Sequence, residues 1–121
     1  MIEKYEFELG KAANILVREL FKLKSEETFV ITADTETDMR VVKATARAAF
    51  SEGAKPMVIW LASPLGIGKA ADPMLPHESL TAALKEADAW VEFNTQALTY
   101  SKIWDRSLKE NKKLRYLGLC S

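Results

Sequence analysis

Between residues 34 and 38 the chain carries three carboxylates, in the run Asp34, Thr35, Glu36, Thr37 and Asp38 (DTETD). Oxygen ligands clustered in this way are what a hard divalent cation takes. The same residue types also cap helix N-termini, accepting from backbone amides two or three residues ahead. A cation site needs the three carboxylates to converge on one point, whereas a cap needs only Thr37 or Asp38 to turn back on a following helix. Capping is the favoured reading, because successive side chains leaving an extended segment point in different directions.

A second stretch, residues 63–70 (SPLGIGKA), approaches a phosphate-binding loop. Such a loop needs Gly, four residues, Gly-Lys and then a hydroxyl that binds magnesium. Ser63 stands at the first glycine and Ala70 at the hydroxyl, so two of the four key positions fail. Residues 66–71 (GIGKAA) also fit G-x-G-x-x-A, but that fingerprint must open directly into a helix. Asp72, Pro73 and Pro76 break any such helix, which leaves a loop that can fold over something beyond a strand end.

The remaining reactive side chains are isolated. His77 is the sole histidine, has no partner adjacent in sequence, and reads as a helix-start residue. Cys120, the sole cysteine, excludes an intrachain disulfide and reads as a small buried hydrophobe at a strand end. Glu78, Glu86, Asp88 and Glu92 form no spaced pair on one element. Trp60, Trp90 and Trp104 lie in apolar positions, which favours core over ligand stacking. No catalytic residue and no metal ligand can be assigned.

The elements that would position these groups alternate between two periods. Ile2, Tyr5, Leu9, Ala12, Ala13, Leu16, Leu20 and Leu23 recur at three- and four-residue steps, the stripe of one long amphipathic helix. Residues 28–33 (TFVITA) are apolar and β-branched without alternation, as in a strand buried on both faces. Residues 39–51 resume helical spacing through Met39, Val42, Ala46, Ala49 and Phe50, and Gly53 can end that helix. Residues 57–61 (MVIWL) form a second strand, residues 62–76 no regular element, residues 78–87 a helix, residues 89–93 (AWVEF) a strand, residues 98–110 a helix with Ile103, Trp104 and Leu108 inward, and residues 115–120 (RYLGLC) a last strand. Strands separated by helices imply parallel crossovers. The expected architecture is a Rossmann-like three-layer α/β/α sandwich, residues 1–121 forming one domain with a four-stranded parallel sheet in the order 2-1-3-4. Open sheets of this type bind ligands beyond the carboxyl ends of the strands, where the order reverses. That places Asp34, Thr35, Glu36, Thr37, Asp38, Ser63, Asn94 and Thr95 as ligand-binding candidates.

Bulk properties narrow the classes of partner. Apolar residues make up 48% of the 121 and charged residues 28%, the composition of an ordinary globular domain. Lys plus Arg and Asp plus Glu number 17 each, which argues against a nucleic-acid binder; the most basic run, residues 109–115 (KENKKLR), reads as a solvated helix end. The start, MIEKYEFELG, does not resemble a secretory signal, and no apolar run reaches the ~18 residues of a membrane span. A reducing, cytoplasmic setting is expected.

Read in order, the chain resembles the N-terminal domain of the aminopeptidase T family of metallopeptidases, which includes ring-cleaving dihydroxypyridine dioxygenases. The resemblance lies in the long first helix followed by KSEETFVITADTETDMRVVKATARAAFSEGAKPMVIWL and continues through LTAALKEADAWVEF. It implies a non-catalytic domain that helps form a substrate cleft or a homodimer interface. The divalent metal and its Glu, His, Tyr and Asp ligands would then sit in a C-terminal catalytic domain that would be this chain's partner, with no cofactor in this chain. The end at Leu119, Cys120 and Ser121, straight after a strand, fits a part of a longer enzyme. The alternative is a free-standing Rossmann- or flavodoxin-like module whose ligand sits at residues 34–38 and 62–76.

Overall fold

The structure, a computed structural model, describes residues 4–64 and 68–119. Seven residues, Thr28–Asp34, form the first strand, β1, and all but Thr28 are buried. Its continuous apolar character follows from its place at the centre of the sheet, with parallel neighbours on both sides. β2 is Lys55–Leu61, β3 Ala89–Glu92 and β4 Arg115–Gly118, and the order is β2-β1-β3-β4 with every pair parallel. This is the expected order.

Helices cover both faces. On one, Phe29, Ile31, Ala33 and Val91 pack against α1 (Glu6–Ile15) and α2 (Met39–Ser51). On the other, Val30 and Trp90 pack with Leu80, Leu84 and Ile103 of α3 (His77–Lys85) and α4 (Lys102–Glu110). Large apolar side chains buried this completely stabilise the fold by about 1.5–3 kcal/mol each. Polar ties close the amino end of the sheet. Arg115 binds Glu27 bidentately at 2.8 and 3.0 Å and donates to Phe21 O. Asn111 donates through Nδ2 to Leu84 O and Ala87 O, fixing the end of α3.

The first helix departs from the single long stripe expected. Beyond Ile15 the chain takes a π-helical turn, Leu16–Leu20, whose extra residue per turn shifts the phase of the helix. Val17 and Phe21 therefore turn inward while Leu20 is exposed; Ile2 lies outside the described residues. In α2 the inward positions are Val42, Thr45, Ala48 and Ala49, and Phe50 is left 74% exposed.

The segment expected to be irregular contains a 3-10 helix, Gly68–Met74, with Pro73 inside it. This tight helix has poor hydrogen-bond geometry anyway, so the missing N–H of proline costs little there. His77 opens α3, as expected, and its Nε2 hydrogen-bonds Asp72 O. α4 begins four residues later than expected, at Lys102, because Tyr100 takes a left-handed φ of 70° and Ser101 caps the helix through Trp104 N. Gly66 and Cys120, which bear on the glycine fingerprint and the last strand, lie outside the described residues.

Trp60 also departs from expectation. It belongs to the edge strand β2, so one flank has no neighbouring strand among the described residues, and it is 60% exposed rather than core. Met57 and Val58 share this exposed edge. Lys55 donates inward to Glu27 O at 2.7 Å, so the alternation of the strand turns the nitrogen of Pro56 toward the open side. Trp90, on the central β3, is fully buried and donates to Thr32 Oγ1.

Candidate functional site

The strand order reverses between β1 and β3, and the carboxyl ends of those two strands bring the ligand-binding candidates together. Asp34 ends β1 on the face carrying Val30 and Thr32. It is fully buried, and its carboxylate takes donors from both flanking loops. Thr95 Oγ1 donates to Oδ1 at 2.5 Å, Glu36 N to Oδ1 at 3.0 Å and Gln96 N to Oδ2 at 3.0 Å. Burial opposes ionisation here. The hydrogen bonds from Thr95, Gln96 and Glu36 outweigh it and hold the carboxyl below its usual range.

Thr37 ties the same two loops through its hydroxyl, which accepts from Asp34 N and donates to Phe93 O, both at 2.9 Å. Asp38, not Thr37, caps α2: its carboxylate accepts from Arg40 N at 3.0 Å. The Arg40 guanidinium pairs with Asp38 at 2.7 Å, and these contacts hold the Asp38 carboxyl low. Thr35 and Glu36 face outward to the second loop, where Thr35 Oγ1 accepts from Ser63 N at 3.2 Å and Glu36 Oε2 from Ser63 Oγ at 3.4 Å.

The three carboxylates thus serve three different tasks, one inward, one as a cap and one toward Ser63. They share no centre, and this donor set does not fit a cation. Among the described residues no group of three or more His, Cys, Asp and Glu is arranged to hold a metal ion. Three donors at the switch point, Thr95 Oγ1, Glu36 N and Gln96 N, are taken by Asp34 itself and are not available to an external anion.

Two more buried groups, Glu92 of β3 and Asn94 just past its end, complete this carboxyl-end crest of the sheet. Glu92 is fully buried; it accepts from Tyr116 Oη at 2.6 Å and from Leu98 N, and Tyr116 Oη is 2.9 Å from Thr99 Oγ1. Burial raises its pKa above the usual value, although the bonds from Tyr116 and Leu98 act to lower it; the negative charge of Asp34 adds to the rise. Sequence spacing alone passed over Glu92. The signal was there: a carboxylate inside the apolar strand AWVEF has no route to water. Asn94 continues the alternation of Trp90 and Glu92, and it is 1% exposed with neither Nδ2 nor Oδ1 hydrogen-bonded among the described residues.

No protein-family model and no curated protein matches the chain. Solved structures that share its fold include two larger proteins. 2,5-Dihydroxypyridine dioxygenase from Pseudomonas putida matches 98% of this chain with a TM-score of 0.76 and 20% identity. Wild-type AmpT from Thermus thermophilus matches 97% with a TM-score of 0.65 and 17% identity. This chain spans 35% of the first and 36% of the second, about a third of each. At these identities the likeness is one of fold. Among the described residues no helix is long and apolar enough to cross a membrane.

Proposed function

We propose that this chain is the N-terminal, non-catalytic α/β domain of a cytoplasmic aminopeptidase-like metalloenzyme, shaping one wall of a substrate cleft or a dimer interface. The observation that carries this reading is one of proportion: the fold covers nearly all of this chain and about a third of each neighbour. The carboxyl end of the sheet adds support, since Thr95 Oγ1, Glu36 N and Gln96 N are spent on Asp34, and the buried Asp34 carboxylate opposes a nucleotide or phosphate there. That weighs against a free-standing nucleotide-binding module. The divalent metal would be held by a C-terminal catalytic domain, because the carboxylates of residues 34–38 do not converge.

The test has two arms. The purified chain should not hydrolyse leucyl p-nitroanilide with zinc, cobalt or manganese at any pH. The gene's reading frame beyond codon 121 should continue into a segment rich in Glu, His and Asp whose product, joined to this chain, turns over with metal. Turnover that follows the 121-residue chain and vanishes with chelator overturns the reading.

A further inference from the structure

We propose that the Asn94 carboxamide reads a neutral ligand at the carboxyl end of the sheet, one presenting a hydrogen-bond acceptor and donor side by side, as a carboxamide or lactam does. The pairing Thr32↔Glu92, extended by one step of the alternation, sets Asn94 beside Asp34 at the β1/β3 switch point. Ligands of open α/β sheets bind outside the strand ends there. Its side chain is 1% exposed and neither polar atom has a partner among the described residues, an arrangement native proteins rarely tolerate without reason.

The other buried asparagine shows what a structural role looks like: Asn111 spends its Nδ2 on two backbone carbonyls at 2.8 and 2.9 Å. Of the other buried polar atoms without partners, the hydroxyls of Thr81 and Ser107 sit on helices, where rotation reaches a carbonyl one turn back. Trp104 leaves a single donor, Nε1, without a partner, whereas the Asn94 amide, just past the end of β3, leaves both a donor and an acceptor without one among the described residues. Its neighbours are committed elsewhere, Thr95 and Gln96 to Asp34, and Glu92 to Tyr116 and Leu98.

Charge decides the class of ligand. Asp34 and Glu92 lie close enough for one to disfavour ionisation of the other, so an anion brought to Asn94 meets a negative field. A bare cation would satisfy Oδ1 and leave both N–H donors idle. A neutral group with adjacent donor and acceptor satisfies both ends of the amide. The site needs nothing outside this chain, so the inference stands or falls separately from the parent-enzyme reading.

The experiment is an NMR titration of the 15N-labelled 121-residue chain with δ-valerolactam, and in parallel with acetate, following the Asn94 side-chain NH2 pair. A saturable shift with the lactam and none with acetate is expected. Asn94→Leu should weaken lactam binding, read at the Thr95 and Gln96 amides, by about tenfold or more. It should also raise Tm, because it removes an unsatisfied buried amide. No saturable lactam shift in the parent chain, an equal response to acetate, or unchanged binding in Asn94→Leu would overturn the proposal. If Asn94→Leu fails to fold, the titration of the parent chain decides alone.

Discussion

The Thr95 hydroxyl donates to Asp34 Oδ1 at 2.5 Å across the seam between β1 and β3. The residues are 61 apart in sequence and join the two loops on which the crest depends. Removing the carboxylate strands three donors in a buried place, each worth about 1–3 kcal/mol when left unpaired. Asp34→Ala is expected to cost about 3 kcal/mol or more in urea unfolding, and Thr95→Val about 1 kcal/mol. The double variant should cost less than the two together, since they share one bond. Additive costs would mean that the bond contributes nothing.

Within the acidic turn the costs should be unequal. Asp38 caps α2, and its loss to alanine should destabilise by about 1 kcal/mol. Glu36→Ala should change stability by less than ~0.5 kcal/mol, and millimolar calcium or magnesium should leave Tm unchanged. Thermal melts of the two variants and of the parent with each cation check this. A reversed ranking, or a Tm raised by the cations, would restore the binding reading of the turn.

Glu92 and Asp34 should drive stability in opposite directions with pH. An acid whose folded pKa is raised holds its proton more tightly when folded, so its contribution is present at low pH and lost as pH rises through the folded value. For Glu92 that loss begins near its usual 4.5 and extends upward. Asp34, lowered from 3.8, contributes above that value and loses its contribution as pH falls through the lower folded one. Glu92→Gln should therefore be more stable than the parent at neutral pH, with the gap closing toward pH 4.5. Urea midpoints across the range measure it, and a gap that widens in acid would refute the assignment.

Gly118 faces the same network from β4. A Cβ there would stand 2.6 Å from Tyr116 Oη. Gly118→Ala should cost about 1–3 kcal/mol, the usual range for overpacking. In a Tyr116→Phe background the 2.6 Å contact is removed and only the tight 3.3 Å approach to the ring carbon Cζ remains, so the same substitution should cost less by chemical denaturation. Equal costs in both backgrounds would place the strain elsewhere.

The layered fold was legible because its signals are local. The unbroken apolar run of β1 and the spacing of α2 each state their environment in a dozen residues. The exposure of Trp60 was not legible, since MVIWL and AWVEF look alike and only the order of the sheet makes one an edge and the other central. The π-helical turn was equally hidden, because a phase shift leaves the apolar residues in place while changing which of them face inward. In the crest, the sequence pointed to Asp34, Thr37, Asn94 and Thr95 but not to how they are used. The five residues DTETD differ little in chemistry, and it is the loop after β3, some sixty positions on, that selects Asp34 for the inward role. Gln96, Leu98 and Tyr116 contribute as partners of buried carboxylates, which no spacing rule announces.

The ring of Pro56 has a meaning for the molecule among its own copies. Met57, Val58 and Trp60 make the β2 flank greasy, and an open flank of that kind is a template on which strangers can add a strand. At its first rung the newcomer finds a nitrogen with no hydrogen to give, so the new ladder starts with a missing bond. A charge would lose this protective power in strong salt; a covalent ring does not. A strand added across Pro56 therefore forms one hydrogen bond fewer than one added to an uninterrupted edge.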